Sequence, residues 1–131
     1  MQTVLIVDDS MFMRRIINDV VTKHGYQVVG EATCSDEAIR MYEELKPDLI
    51  TMDITMTVDG KTIGRSSNGI VAIEEIKKIN PKAKILVVSA MGQKPYVIEA
   101  VEKGAEDFVV KPFTEEKIVE ALTNLGRDLP K

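Results

Sequence analysis

The sequence has few of the residues from which disulfides and zinc sites are built, since its 131 residues include one cysteine, Cys34, and one histidine, His24. A single cysteine cannot form an internal disulfide, and a zinc site needs several Cys or His ligands. We therefore expect Cys34 to be a partly buried small side chain and His24, which precedes Gly25, to lie at the end of a helix. Disulfide-stapled and zinc-dependent classes are excluded.

Excess positive charge and long apolar runs are also missing. Lysine and arginine number 17 against 21 aspartate and glutamate residues, which gives a net charge of -4. This balance does not supply the basic patch of a protein that binds nucleic acid or an anionic membrane. The apolar runs are far shorter than the roughly 20 residues that span a bilayer, and Met1 leads into a strand-like stretch instead of a signal peptide. These absences predict a cytoplasmic protein that binds neither nucleic acid nor membrane.

The chain does contain enough apolar material for one folded domain, with 44% hydrophobic and 29% charged residues. Short apolar stretches, typical of strands buried on both faces of a parallel sheet, occur at 4–7, 27–32, 49–52, 85–88 and 108–110. Helical apolar stripes follow them at 13–21, 38–45, 70–76, 97–104 and 118–125. Five βα units in a row predict one α/β domain over residues 1–131, with a doubly wound five-stranded parallel sheet and five helices.

Residues at the predicted helix ends agree with this organisation. Ser35 precedes Asp36-Glu37, and Thr114 precedes Glu115-Glu116. We predict both Ser35 and Thr114 to be N-caps, since each is followed by an acidic first turn. Pro95 suits the first turn of the fourth helix.

Residues 57–68 interrupt the βα pattern and are interpreted as an insertion after the third strand. They read TVDGKTIGRSSN, which is longer and more polar than the roughly 2–6 residues of an ordinary βα loop. Asp59-Gly60 is a pair favoured in type I′ turns, and strand-forming residues flank it. Two structures remain open for this segment, a small hairpin that acts as a lid beside Asp53 and a mobile solvated loop.

Side chains with useful chemistry stand where the predicted strands end. Asp8 and Asp9 follow the first strand, and Asp53, Ser89 and Lys111 follow the third, fourth and fifth. Because open α/β sheets bind ligands outside the carboxyl ends of their strands, we expect these side chains at one edge. Carboxylates without histidine or thiolate favour Mg²⁺, which commonly shares a phosphate. Lys111 and Ser89 suit the oxygens of that anion, and Asp53 is the best placed nucleophile for an acyl phosphate.

The motifs at these strand ends resemble the receiver domains of two-component response regulators, and most closely the stand-alone chemotaxis regulators in that family. The matching stretches are LIVDDS at 5–10, MDITM at 52–56, VSA at 88–90 and DFVVKPF at 107–113. The resemblance covers nearly the whole chain outside the insertion. It implies a flavodoxin-like sheet with strand order 2-1-3-4-5, which the spacing of the strands alone does not give.

The resemblance implies a phosphoacceptor and a metal site. Asp53 matches the residue that takes a phosphoryl group from the histidine of a sensor kinase. Asp8, Asp9, Asp53 and the backbone carbonyl of Thr55 match the ligands of Mg²⁺. The chain departs from the family pattern after Asp53, since Met56 is followed by Thr57 instead of proline, and the next glycine of the pattern, Gly69, is delayed by the insertion.

The resemblance also implies how a signal would leave the site. Ser89 matches the switch hydroxyl, Lys111 the lysine that binds phosphoryl oxygens, and Phe108 the aromatic side chain whose rotamer follows the switch. The Lys111–Pro112 peptide bond is expected to be cis. The surface expected to change covers the fourth helix, from about 95 to 103, together with the fifth strand and the fifth helix.

Three other classes of protein fit these residues less well. A phosphatase of the haloacid dehalogenase type needs a second Asp two positions after the nucleophile, where this chain has Thr55. A flavodoxin needs hydroxyls and amides in its first loop, where the carboxylates of Asp8 and Asp9 would repel a flavin phosphate. Only six residues follow Leu125, so we expect no fused output domain.

The sequence thus predicts a Mg²⁺-dependent phosphorylation switch, and no enzyme beyond its own phosphorylation and slow autodephosphorylation. The expected partners are a chemotaxis-type sensor histidine kinase, a flagellar motor switch protein or other effector, and a phosphatase. The alternative is a phosphorelay shuttle or a regulator of a pathway other than chemotaxis.

Overall fold

The computed structural model of the chain describes residues 1–56 and 68–129, and strands alternate with helices along them. The elements are β1 (Thr3–Val7), α1 (Met11–Lys23), β2 (Gln27–Ala32), α2 (Ser35–Leu45), β3 (Leu49–Asp53), α3 (Gly69–Ile79), β4 (Lys84–Ser89), α4 (Lys94–Glu102), β5 (Asp107–Val110) and α5 (Glu115–Leu125). The five strands and five helices predicted from the sequence are confirmed.

All neighbouring strands of the sheet pair in parallel, in the order β2-β1-β3-β4-β5. This is the order that the family resemblance implies. From β1 the chain moves outward to β2 and then crosses back to β3, on the other side of β1. The strand order therefore reverses between β1 and β3, and a crevice opens at their carboxyl ends. Asp8 and Asp53 stand at those two ends.

Two apolar clusters cover the two faces of the sheet. One contains Leu5, Ile50 and Ile85 and is closed by residues of α2, α3 and α4. The other contains Val4, Leu49 and Leu86 and is closed by residues of α1 and α5. Because successive strand residues point to opposite faces, burial of both faces requires continuous apolar runs. The longest helix in the described part, α1, has 13 residues, and none there could cross a membrane; a cytoplasmic location stays a prediction.

The predicted helix caps are correct at α5 and wrong at α2. Thr114 caps α5, with its side chain accepting the N–H of Lys117 at 3.2 Å. Ser35 is instead the first residue of α2, and Cys34 occupies the N-cap position without a side-chain capping bond. The physical reason is that Ser35 is fully buried and its hydroxyl donates to the distant carbonyl of Asn68 at 2.5 Å.

The insertion predicted at 57–68 is described only at its last residue, and both the hairpin and the loop structure proposed for it lie outside the described residues. Thr55, two residues before the insertion, and Asn68, its last residue, form an antiparallel bridge. Asn68 is also the N-cap of α3, and its side chain accepts the N–H of Ile70 at 2.9 Å. The chain therefore enters and leaves this segment at adjacent points beside β3.

Gly69 begins α3 directly against the end of β3. Its N–H donates to the Ile54 carbonyl at 2.9 Å, and a Cβ added at Gly69 would lie 2.1 Å from the Asp53 carbonyl oxygen. This distance is far inside van der Waals contact, and the obstacle is backbone, which cannot rotate away. The missing side chain at Gly69 therefore lets α3 start close to Asp53.

Gly69→Ala is expected to lower the free energy of unfolding by about 1–3 kcal/mol, the usual cost of overpacking. Because the chain has no tryptophan, urea unfolding is best followed by far-UV circular dichroism. Lys78→Ala, on the exposed side of α3, is the matched control and should change stability by less than about 0.5 kcal/mol. A Gly69→Ala variant as stable as wild type would contradict the prediction.

Candidate functional site

Three carboxylates meet at the crevice between β1 and β3, and we call Asp8, Asp9 and Asp53 the acid cluster. Asp8 and Asp53 are 1% and 4% exposed, and Asp9 is half-buried. One oxygen from each carboxylate lies within 4.8 Å of the others. The structure thus brings together the three acidic side chains that the sequence placed at this edge.

Burial, together with repulsion from neighbouring carboxylates, makes Asp8 and Asp53 hard to ionise. Burial, followed by the negative charge of Asp8, raises the pKa of Asp53 to about 8, against the opposing effects of Lys111 and the Thr55 N–H. Burial likewise raises the pKa of Asp8, although the Ser10 N–H and Lys111 act in the opposite direction. The donor atoms here are all oxygens, and a nearby cation would stabilise the ionised carboxylates. These properties fit a hard divalent cation such as Mg²⁺.

Lys111 supplies a positive charge directly after β5. Its Nζ lies 3.1 Å from Oδ2 of Asp8 and 4.0 Å from Oδ2 of Asp53. The backbone N–H of Lys111 donates to the Ser89 carbonyl at 2.7 Å, and the Lys111–Pro112 bond is cis, as expected. The ammonium group is therefore close enough to Asp53 to bind an anion attached to it.

Ser89 and Phe108 lie on one groove beside β4 and β5. The Ser89 hydroxyl is fully buried and has no hydrogen-bond partner among the described residues. The groove has a volume of about 500 Å³ and is lined by Ser89, Val97, Ile98, Val101, Phe108 and Val110 among others. Phe108 is 47% exposed at the outer side of this groove. The arrangement combines an unused buried donor with space into which a side chain can move.

Two contributors to the site were missed by sequence reasoning. Arg14 of α1 donates from Nη1 to the Asp8 carbonyl at 2.8 Å, and its Nε forms an ion pair with Glu31 at 3.0 Å. The side chain of Gln93 bonds to Thr55 and to the backbone after Ser89. Neither residue belongs to a motif, so only the folded contacts identify them.

Comparison with known proteins decides the family. The sequence matches the response regulator receiver domain over residues 4–123. The chain belongs to this receiver domain family. Chemotaxis protein CheY of Thermotoga maritima is 55% identical over 124 residues, covering 95% of this chain and 97% of that protein. Chemotaxis protein CheY of Bacillus subtilis is 46% identical over 119 residues, covering 91% and 92% respectively.

The fold of this receiver domain also matches solved structures. One chain in the crystal structure of the CheX–CheY–BeF3–Mg complex from Borrelia burgdorferi is 29% identical and superposes with a TM-score of 0.83, covering 94% of this receiver domain and 87% of that chain. The resemblance stated from the strand-end motifs is therefore confirmed at the level of family and fold.

The pKa shift of Asp53 predicts how the receiver domain's stability depends on pH. Between the usual carboxyl pKa of 3.8 and about 8, the folded state keeps a proton on Asp53 that the unfolded state has lost. The wild type should therefore lose stability as pH rises through this range in the absence of divalent cations. Asp53→Asn should remove this loss and be more stable than wild type at pH 8.5 by at least about 1.4 kcal/mol, the equivalent of one pKa unit.

Urea unfolding in the presence of a chelator, at pH 5 and at pH 8.5, measures this difference. Asp19→Asn, at an exposed position of α1, is the matched control and should follow the wild type at both pH values. An advantage of Asp53→Asn that is the same at both pH values would contradict the assigned shift.

Proposed function

We propose that residues 1–131 work as a single receiver domain that is a Mg²⁺-dependent phosphorylation switch, with Asp53 as the phosphoacceptor. The observation that carries this proposal is the position of Asp53. Its buried carboxylate lies in the acid cluster and has the Lys111 ammonium 4.0 Å from Oδ2. A carboxylate with a neighbouring cation for the incoming anion is suited to form an acyl phosphate.

The chemical step that we propose is a displacement at phosphorus. An ionised oxygen of Asp53 attacks the phosphohistidine of a sensor kinase, the P–N bond breaks as the O–P bond forms, and the imidazole leaves and takes up a proton. Asp8, Asp9, Asp53 and the Thr55 carbonyl would hold Mg²⁺, which when bound neutralises charge on the carboxylates and phosphoryl oxygens. Lys111 would leave Asp8 to pair with one of those oxygens. The second position after Asp53, where a phosphatase of the haloacid dehalogenase type has a catalytic Asp, is Thr55, so turnover beyond slow hydrolysis is not expected.

Signal output is proposed to pass through Ser89 and Phe108. A phosphoryl group adds strong acceptor oxygens next to the acid cluster, and the unpartnered Ser89 hydroxyl can donate to one of them. Movement of Ser89 would open the groove beside it, and Phe108 could then turn inward. Phosphorylation can produce this change only by stabilising one of two existing states more than the other.

The outer surface of α4 and β5 is suited to bind an effector protein. It exposes several large apolar side chains: Tyr96, Ile98, Val101, Phe108 and Val110. A cluster of exposed apolar side chains on a small protein is typical of an interaction site. Because Phe108 belongs to this surface, a change in its rotamer would alter what the effector contacts.

We propose a chemotaxis role for this switch, because the most similar relatives reported above carry the name chemotaxis protein CheY. The partners would then be a chemotaxis-type histidine kinase and a flagellar motor switch protein. A phosphatase is a further proposed partner, since a phosphoryl group on Asp53 must be removed to reset the switch. The Borrelia burgdorferi structure contains CheY in complex with a second protein, CheX.

Phosphorylation of Asp53 is tested by intact mass spectrometry after incubation with Mg²⁺ and acetyl phosphate. Wild type should gain one phosphoryl group, and Asp53→Asn should gain none because the amide is not a nucleophile for this reaction. Asp19→Asn should gain one group like wild type. A phosphorylated Asp53→Asn variant would overturn the proposed phosphoacceptor.

The role of Asp9 is tested by the effect of Mg²⁺ on thermal unfolding. Mg²⁺ should raise the wild-type melting temperature, because a ligand that binds the folded state stabilises it by mass action. Asp9→Ala should show a smaller rise and slower phosphorylation, while its far-UV circular dichroism with chelator stays like that of wild type. Unfolding on chelation, or a full Mg²⁺ response in Asp9→Ala, would contradict this assignment.

A further inference from the structure

One side-chain amide connects the loop after β3 with the loop after β4. Nε2 of Gln93 donates to the Thr55 hydroxyl at 3.0 Å, and Oε1 of Gln93 accepts the Ala90 N–H at 2.9 Å. The partners fix the orientation of this amide, because a backbone N–H can only donate and must face Oε1. We call the amide with these two hydrogen bonds the Gln93 bridge. It joins the second residue after Asp53 to the residue directly after Ser89.

Gln93 stands at a position where a side chain could cap the start of α4, but its side chain forms the bridge instead. Gln93 is the N-cap residue of α4, but its side chain makes no capping hydrogen bond. Asn68 and Thr114 occupy the same position in α3 and α5, and their side chains do accept N–H groups of the first turn. The Gln93 side chain thus connects two loops and does not stabilise its own helix.

The bridge continues to the proposed phosphoacceptor through the backbone of Thr55. The Thr55 N–H donates to Oδ1 of Asp53 at 3.3 Å, and the Thr55 hydroxyl accepts the amide of Gln93. A connected series of hydrogen bonds therefore runs from the Asp53 carboxylate to the Ala90 N–H. This series exists while the Ser89 hydroxyl has no partner among the described residues.

We propose that the Gln93 bridge holds the β4–α4 loop in its resting arrangement and opposes the switch, so that Gln93 is a positioning residue for Ser89. This inference rests on the proposed function of Asp53. In this proposal the backbone at Ser89 and Ala90 moves when the Ser89 hydroxyl bonds to a phosphoryl group on Asp53. The Ala90 N–H moves with it, and its bond to Gln93 is lost or lengthened. The bridge therefore stabilises the resting state alone.

Removing the bridge should shift the protein toward the switched state. Gln93→Met keeps the length of the side chain and removes both hydrogen bonds. We expect it to bind beryllofluoride with Mg²⁺, a mimic of the acyl phosphate, about 3- to 10-fold more tightly than wild type, the factor corresponding to one net hydrogen bond. The ligand-free variant should also show amide NMR signals of β5 displaced toward their positions in the beryllofluoride-bound wild type.

Thr55→Val removes the other end of the bridge with little change in shape and should tighten binding in the same direction. The double variant should bind no more tightly than the stronger single variant, because both changes break one bridge. Glu99→Gln, at an exposed position of α4, is the matched control and should bind like wild type. If circular dichroism shows that Gln93→Met does not fold, the binding of beryllofluoride by Thr55→Val alone tests the proposal.

Unchanged or weaker binding of beryllofluoride by Gln93→Met would overturn the proposal, and so would fully additive effects of the two changes. Failure of the proposed function is recognised separately. In that case wild type would not bind beryllofluoride with Mg²⁺, or Asp53→Asn would bind it equally well.

Discussion

Burial of two neighbouring carboxylates is the constraint around which this molecule is organised. Neighbouring strands of a sheet lie about 4.8 Å apart, and Asp8 and Asp53 stand at the ends of the neighbouring strands β1 and β3. Apolar packing on both faces keeps these strands in place, so the carboxylates cannot separate. Lys111 offsets burial and repulsion only in part, since the pKa values of both carboxyls remain raised. The fold thus maintains a site that gains stability when positive charge enters.

Two buried hydroxyls, those of Thr51 and Ser89, have no hydrogen-bond partner among the described residues. The consequence of such an unpaired hydroxyl depends on its position in the fold. Each should cost stability, because a buried polar group without a hydrogen bond has lost its water. Thr51 is the middle residue of β3 and is 1% exposed. Ser89 lies at the end of β4 and lines the groove shared with Phe108. In the proposed function, an anion on Asp53 would supply the missing partner at Ser89.

The sequence predicts this protein well where one strong physical rule decides the outcome. The continuous apolar runs predict strands buried on both faces, and the polar residues that follow them predict the site, because parallel strands end at one edge. The strand order needs the family resemblance. Prediction fails where contacts between residues far apart in the sequence determine the local structure. Ser35 does not cap α2 because its hydroxyl finds the Asn68 carbonyl, and the Gln93 bridge joins residues 38 positions apart in the chain.

A switch needs two states of similar free energy, since a signal can shift an equilibrium only by the amount that it stabilises one state more than the other. Beside the β4–α4 loop, the resting arrangement contains one interaction that stabilises it and one buried group that destabilises it. In our proposal each hydrogen bond of the Gln93 bridge stabilises this arrangement by about 1 kcal/mol, and the unpartnered Ser89 hydroxyl destabilises it by about 1–3 kcal/mol. In this proposal the two contributions have opposite signs and similar size, so one new hydrogen bond from Ser89 to a phosphoryl oxygen would favour the switched state. The small size of each interaction therefore makes a single covalent group an effective signal.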